Sequence, residues 1–115
     1  MSDREVLRLL YFGSGILTIV LAVPLIRRKV PPNGWYGFRT PSTLKDPDIW
    51  YAVNARFGAW LLVAGIVEMF AALLLYGGGL SLDSYAWGCL AALMIPVAVG
   101  IVDGLRVSRS ASRQS

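Results

Sequence analysis

The sequence has no histidine and one cysteine, Cys89. Without histidine the common transition-metal ligand sets cannot be assembled, and a lone thiol cannot close an internal disulfide. Cys89 lies inside an apolar run and reads as a small packing residue. Charge is scarce too. Charged residues make up 16% of the 115 and hydrophobic ones 56%, whereas a soluble domain carries about 25% charged residues. So little polar covering excludes an ordinary water-soluble globule and makes the bilayer the simpler solvent. Also missing are paired carboxylates, a Ser/His/Asp or Cys/His set and a phosphate-cradling glycine loop. Gly77-Gly78-Gly79 is a turn, since no strand precedes it and no Lys-Ser/Thr follows. The expectation is a non-enzyme with no cofactor and no metal. The net charge of +4 is explained by membrane topology rather than by nucleic acid, because the basic residues gather in two segments.

What is present is three apolar runs. The first, Val6 to Ile26, is broken only by Arg8 and ends at Arg27-Arg28-Lys29. As a helix it reaches about 31 Å, enough for a hydrocarbon core of about 30 Å. A cleaved leader is not expected, because the run is too long and Asp3 and Glu5 interrupt any basic start. The second span, residues 57–76, is the end of a helix of about 30 residues that begins at Asp46-Pro47-Asp48. There Asp46 is the N-cap, Pro47 takes the first helical position and Asp48 favours the positive end of the dipole. The third is residues 85–105, and the Ser-rich basic tail 106–115 is expected to be disordered. The fold class is thus all-α: a transmembrane three-helix bundle with a structured loop (27–56) and a juxtamembrane extension on the second helix.

Orientation follows from the basic residues. The first loop holds Arg27, Arg28, Lys29, Arg39, Lys45 and Arg56, and the tail holds Arg106, Arg109 and Arg113. The second loop has none. The positive-inside rule then puts the long loop and the carboxy terminus in the cytoplasm of a bacterial-type inner membrane, with the amino terminus outside.

Glu68 lies about 16 Å from one end of its span and about 12 Å from the other, near the midplane. An acid there costs about 2.5–3.5 kcal/mol on insertion scales, so it must face other helices. Leu61, Ala64, Gly65, Ala72 and Leu75 share its side, with Asn54 and Trp50 further down. Two readings stand side by side: a proton-linked or cation-binding carboxylate, and a protonated packing element bonded to Ser14 or Thr18. The third helix carries Gly88, Ala92, Pro96, Gly100 and Gly104 at four-residue spacing, which lets backbones approach closely. Ser14, Thr18 and Ala22 form a shorter stripe on the first helix, and the stripes are expected to face one another. Asp103 sits one turn from the cytoplasmic end and wants a cation: Arg106, Arg39 or Arg56.

The loop is no ordinary linker. It interleaves aromatics, glycines and hydroxyl residues with one arginine, in the run Pro31-Pro32-Asn33-Gly34-Trp35-Tyr36-Gly37-Phe38-Arg39-Thr40-Pro41-Ser42-Thr43-Leu44. Aromatic rings suit the headgroup level, and Arg39 can hold a lipid phosphate or carboxylate through paired hydrogen bonds. Pro32, Asn33, Gly37, Arg39, Thr40, Thr43, Trp50, Asn54 and Gly58, in type and spacing, resemble the motif of the SdpI-like family of small bacterial membrane proteins. That resemblance implies immunity. One member protects a producing cell from its own secreted toxin peptide and sequesters a transcriptional repressor at the membrane. This chain carries a single three-helix unit, where that member resembles a related set of spans followed by the motif-bearing unit.

Three functions compete. The first is an immunity or signalling protein that binds peptide or lipid at the loop motif, with membrane lipids, a toxin peptide or a regulatory protein as partners. The second is a small proton-coupled exporter using Glu68, which with three spans requires a homo-oligomer. The third is an accessory subunit of a membrane complex. In any of them Arg39 is expected to bridge Asn54 or Asp103 to a bound anionic group.

Overall fold

A computed structural model describes residues 1–114. Four helices follow in chain order: α1 (Asp3–Ile26), α2 (Pro41–Lys45), α3 (Pro47–Leu74) and α4 (Leu82–Gln114), with a 3-10 turn, Leu75–Gly77, prolonging α3. Among the described residues there is no strand. The three long helices are each apolar and long enough to cross a membrane. Their outward faces carry bare Leu17, Val20, Phe70, Leu74 and Ile95, as lipid-facing surfaces do. The long axis of 53 Å exceeds a bilayer of about 40–45 Å with its headgroups, so part of the molecule stands in water.

Local signals fix the helix ends. Ser2 caps α1 in a reciprocal box with Glu5, satisfying two orphan amides. At the other end Lys29 N–H bonds Pro24 C=O at 2.9 Å and Arg28 N–H bonds Leu25 C=O at 3.2 Å. Arg28 there has φ +59°, so the chain turns out of the helix in the left-handed way usually left to glycine. Asp46 caps α3 as expected, accepting from Asp48 N–H at 2.9 Å.

α3 is the central helix. α1 and α4 each pack along it, and they meet one another mainly at the short-turn end. There Leu7, Tyr11 and Phe12 of α1 join Ala72, Tyr85 and Cys89. Cys89 is buried, as a packing residue should be. Small residues set the contacts. At the α1–α3 crossing, a Cβ on Gly65 would lie 2.7 Å from the Gly15 carbonyl oxygen, and one on Gly15 would lie 2.8 Å from that of Gly65. On α4, Gly100 admits Trp60 and Gly104 admits the Phe38 ring. The stripes therefore face α3 and the loop more than one another.

One expectation needs correction. Residues 106–114 of the tail are helical rather than disordered, because α4 runs on to Gln114; Ser115 lies outside the described residues. Val107 and Ala111 continue its inner face and pack on the cluster of Phe38, Ile49 and Val53. Within the loop, residues 41–45 form the helix α2, whose Thr40 cap and Thr43 bond reciprocally.

Candidate functional site

The loop between α1 and α3 is docked by its own side chains. Asn33 Oδ1 accepts from the amides of Trp35 (3.0 Å) and Tyr36 (2.6 Å), while its Nδ2 donates to Pro31 C=O at 2.9 Å. One side chain thus closes the turn that Pro31 and Pro32 begin. The Tyr36 hydroxyl donates to Leu21 C=O on α1, and burial pushes this phenol up from its ordinary range. Gly37 has φ +107°, and a Cβ there would lie 2.8 Å from Asn54 Oδ1 and 3.2 Å from the Trp50 ring. Both conformation and space demand glycine.

Asn54 is the centre of this network. It is 1% exposed. Its Oδ1 accepts from Phe38 N–H at 2.5 Å, and its Nδ2 donates to Phe38 C=O at 3.0 Å and to Trp50 C=O at 3.1 Å. A side-chain amide here replaces a strand partner for one residue of the loop, which is why the buried backbone of Phe38 is satisfied. Trp50, fully buried, donates its indole N–H to Val30 C=O at 2.7 Å. Four residues beyond Asn54, Gly58 lets α1 pass close, with Ala22 C=O 3.0 Å from where a Cβ would stand. Asn33, Gly37, Thr40, Thr43, Trp50 and Asn54 therefore share one task, fixing the loop, Pro32 belongs to its turn, and Gly58 serves the α1–α3 contact beside it.

Arg39 is different. It is exposed, and its guanidinium donates to Gly34 C=O within the loop. It touches neither Asn54 nor Asp103, which corrects the expected bridge. Asn54 is committed to Phe38, and Asp103 pairs instead with Arg56 Nε at 2.6 Å and accepts from Trp60 Nε1 at 3.3 Å. That pair ties α3 to α4.

A cleft of about 440 Å³ adjoins the loop, between α2 and the far end of α4. Its floor is a triangle of hydroxyls: Thr40–Ser108 at 2.8 Å, Ser42–Ser108 at 2.6 Å and Thr40–Ser42 at 3.1 Å. Arg109 and Arg113 stand at its sides. The sequence reading missed Ser42, Ser108 and the cleft. Two signals were available: Thr40-Pro41 repeats the cap-then-proline pattern of Asp46-Pro47, and Ser108 extends the four-residue stripe of α4 by one step.

Glu68 is 0% exposed, and neither carboxylate oxygen has a hydrogen-bond partner. Thr18 donates to Ser14 C=O of its own helix at 2.9 Å. Of the two hydroxyls expected to bond Glu68, Ser14 faces the carboxyl and interacts with it, at a geometry looser than a full hydrogen bond, whereas Thr18 is committed to its own helix. Tyr11 and Cys89 are its other polar neighbours.

Fold and site together define an all-α membrane protein whose three long helices carry a docked polar loop at one end. A model of the SdpI/YfhL protein family matches residues 29–103, and the chain belongs to that family. The match begins at the loop, covers α3 and ends at Asp103, five residues before the cleft's Ser108. No curated protein and no solved structure matches the chain.

Proposed function

We propose that this is an immunity or signalling protein of the cytoplasmic membrane, which holds a membrane-active peptide or a lipid on its docked loop. The observation that carries the reading is the docking of that loop by buried side-chain hydrogen bonds. Asn33, Gly37, Thr40, Thr43, Trp50 and Asn54 hold it in place, and Trp35 (82% exposed) and the Arg39 guanidinium remain on its outside. A preorganised surface binds with less ordering cost than a flexible linker. An aromatic ring beside an arginine suits a ligand that is partly apolar and partly anionic. The six basic residues of the loop segment support a cytoplasmic position, with the amino terminus outside. Membrane family membership supports the immunity reading without naming the ligand.

The test is survival. Sensitive bacterial cells expressing the chain are challenged with a membrane-active toxin peptide, beside cells expressing Asn54→Ala in equal membrane amounts. Protection by the wild type and its loss in the variant are expected. No protection, or equal protection by both, ends this reading.

A second reading rests on Glu68. A fully buried carboxyl with no cation beside it is costly in hydrocarbon and marks ion or proton pathways by default. In that reading the chain is a proton-coupled exporter acting as an oligomer, because three helices enclose no pathway. Glu68→Gln keeps shape and removes the titrating group. Loss of pH-gradient-driven efflux in Glu68→Gln vesicles supports this reading, and efflux equal to wild type rejects it.

A further inference from the structure

The cleft between α2 and the end of α4 has a chemistry distinct from the rest of the loop. Its floor is hydroxyl, its sides are guanidinium, and its bilayer-side rim is Leu105. Among the described residues no carboxylate lines it, and neither Arg109 nor Arg113 has an ion-pair partner. Two cations therefore stand at one concavity with no carboxylate of the described residues paired to them.

The hydroxyl triangle adds a donor. The two short contacts, both to Ser108, need one proton each, and three hydroxyls supply three. When Ser108 donates one of these bonds, the third proton lies on Thr40 or Ser42, where the 3.1 Å contact between the two, or for Thr40 a 3.4 Å one to Thr43, holds it only loosely. A phosphate oxygen in the cleft would compete for that proton as a stronger, charged acceptor. Ser108 itself is 3% exposed, so the floor is fixed by packing and not by chance surface contact.

Depth identifies the ligand class further. Ser108 lies three residues beyond Leu105, about 4.5 Å along the helix, and Arg109 about 6 Å. The headgroup layer on each side of a hydrocarbon core is about 5–7 Å thick. An arginine fork and a hydroxyl donor at that level match the oxygens of a phosphate.

We propose that this cleft is a phosphate-binding site, in which Arg109 and Arg113 clamp a phosphate group over the Thr40–Ser42–Ser108 floor. The site deepens the reading of the loop as a binding platform and rests on it, since α2 is part of that loop. Its α4 half lies outside the stretch that the family model matches. The phosphate comes from an anionic lipid headgroup or from a soluble phosphate compound.

The purified chain in maltoside micelles, which carry no phosphate, separates these sources. Phosphatidylglycerol is titrated and bound lipid is counted by native mass spectrometry, then inorganic phosphate is added as competitor. Wild type is expected to bind one phosphatidylglycerol, and Arg109→Gln/Arg113→Gln to lose about tenfold in affinity. Ser42→Ala is expected to lose about threefold with the fold unchanged. Arg27→Gln/Lys29→Gln removes the same charge on the same membrane face but outside the cleft, and is expected to bind like wild type. Lipid that resists excess inorganic phosphate assigns the site to headgroups; displacement, or binding of phosphate alone, assigns it to soluble phosphates. No binding of either probe overturns the proposal. So does equal affinity of the Arg109/Arg113 variant and wild type, or an equal loss in the control variant. Phosphate binding without protection in the survival assay keeps the cleft and removes the immunity reading; protection without phosphate binding does the reverse.

Discussion

Replacing Asn54 by alanine should undock the loop while leaving the three long helices in place. The variant removes three hydrogen bonds and strands the N–H and C=O of Phe38 in a buried position. An unsatisfied buried group costs about 1–3 kcal/mol, so the two Phe38 groups alone cost about 2–6 kcal/mol. The third bond, to Trp50 C=O, matters less, because that carbonyl belongs to α3 and sits near water-accessible loop once the loop moves. The loop keeps its other anchors, Trp50 to Val30 and Thr40 to Ser108. The loss is therefore felt as local opening, and even the lower bound raises the open population about 30-fold. Limited trypsin digestion reads this directly, since Arg39 and Lys45 are exposed residues whose cleavage requires the backbone to leave its docked path. Cleavage after Arg39 should quicken by at least an order of magnitude in Asn54→Ala membranes, with cleavage after Arg4 unchanged as the control. Equal cleavage at Arg39 in wild type and variant would mean that Asn54 does not hold the loop.

Gly65→Val drives a side chain into the Gly15 carbonyl, 2.7 Å from the first added carbon; overpacking of this kind costs about 1–3 kcal/mol, and the detergent-solubilised protein should melt several degrees lower. Gly37→Ala combines an unfavourable φ of +107° with a 2.8 Å approach to Asn54 Oδ1, and should reproduce the trypsin sensitivity of Asn54→Ala; wild-type resistance would count against the required geometry. Arg39→Lys disturbs only the exposed guanidinium bond to Gly34 C=O and leaves the buried anchors in place, so the melting temperature should hold while protection from a toxin peptide falls about tenfold if the planar fork meets the ligand; undiminished protection makes Arg39 only another inside charge. Cysteine at exposed Ser81 should be labelled from outside intact cells and cysteine at exposed Ser110 should not; the reverse pattern inverts the membrane orientation.

Much of the architecture could be read from the chain because hydropathy and capping are local properties. Three runs long enough to span, and Asp46-Pro47 starting α3, need no knowledge of neighbours. The buried face of α3 was also legible, since Trp50, Asn54, Gly65, Glu68 and Ala72 recur at helical spacing and all are buried. What escaped depends on contacts between distant segments. The end of α4 reads as a disordered tail by composition, and only its packing on Phe38 and α2 gives it a reason to stay helical. The Gly15–Gly65 crossing was missed for the same reason: a stripe was sought at Ser14, one residue away, and which residue of a pair meets the neighbour depends on the crossing itself. Arg39 stood out as the lone arginine in a structured turn, yet its partner proved to be the Gly34 carbonyl nearby. Asn54 was available, but the backbone of Phe38 claims it first.

The docked state of the loop is tested most directly by hydrogen exchange on the wild-type chain in a lipid bilayer, resolved to single amides. The Phe38 and Tyr36 amides, bonded to Asn54 and Asn33 side chains, should exchange at least about 100-fold more slowly than in an unstructured peptide of the same sequence. Pro32 has no amide, and that of Gly34, which makes no hydrogen bond with the described residues, should exchange quickly. Phe38 exchanging as fast as the free peptide would contradict the fixed platform on which the function proposed for this chain depends.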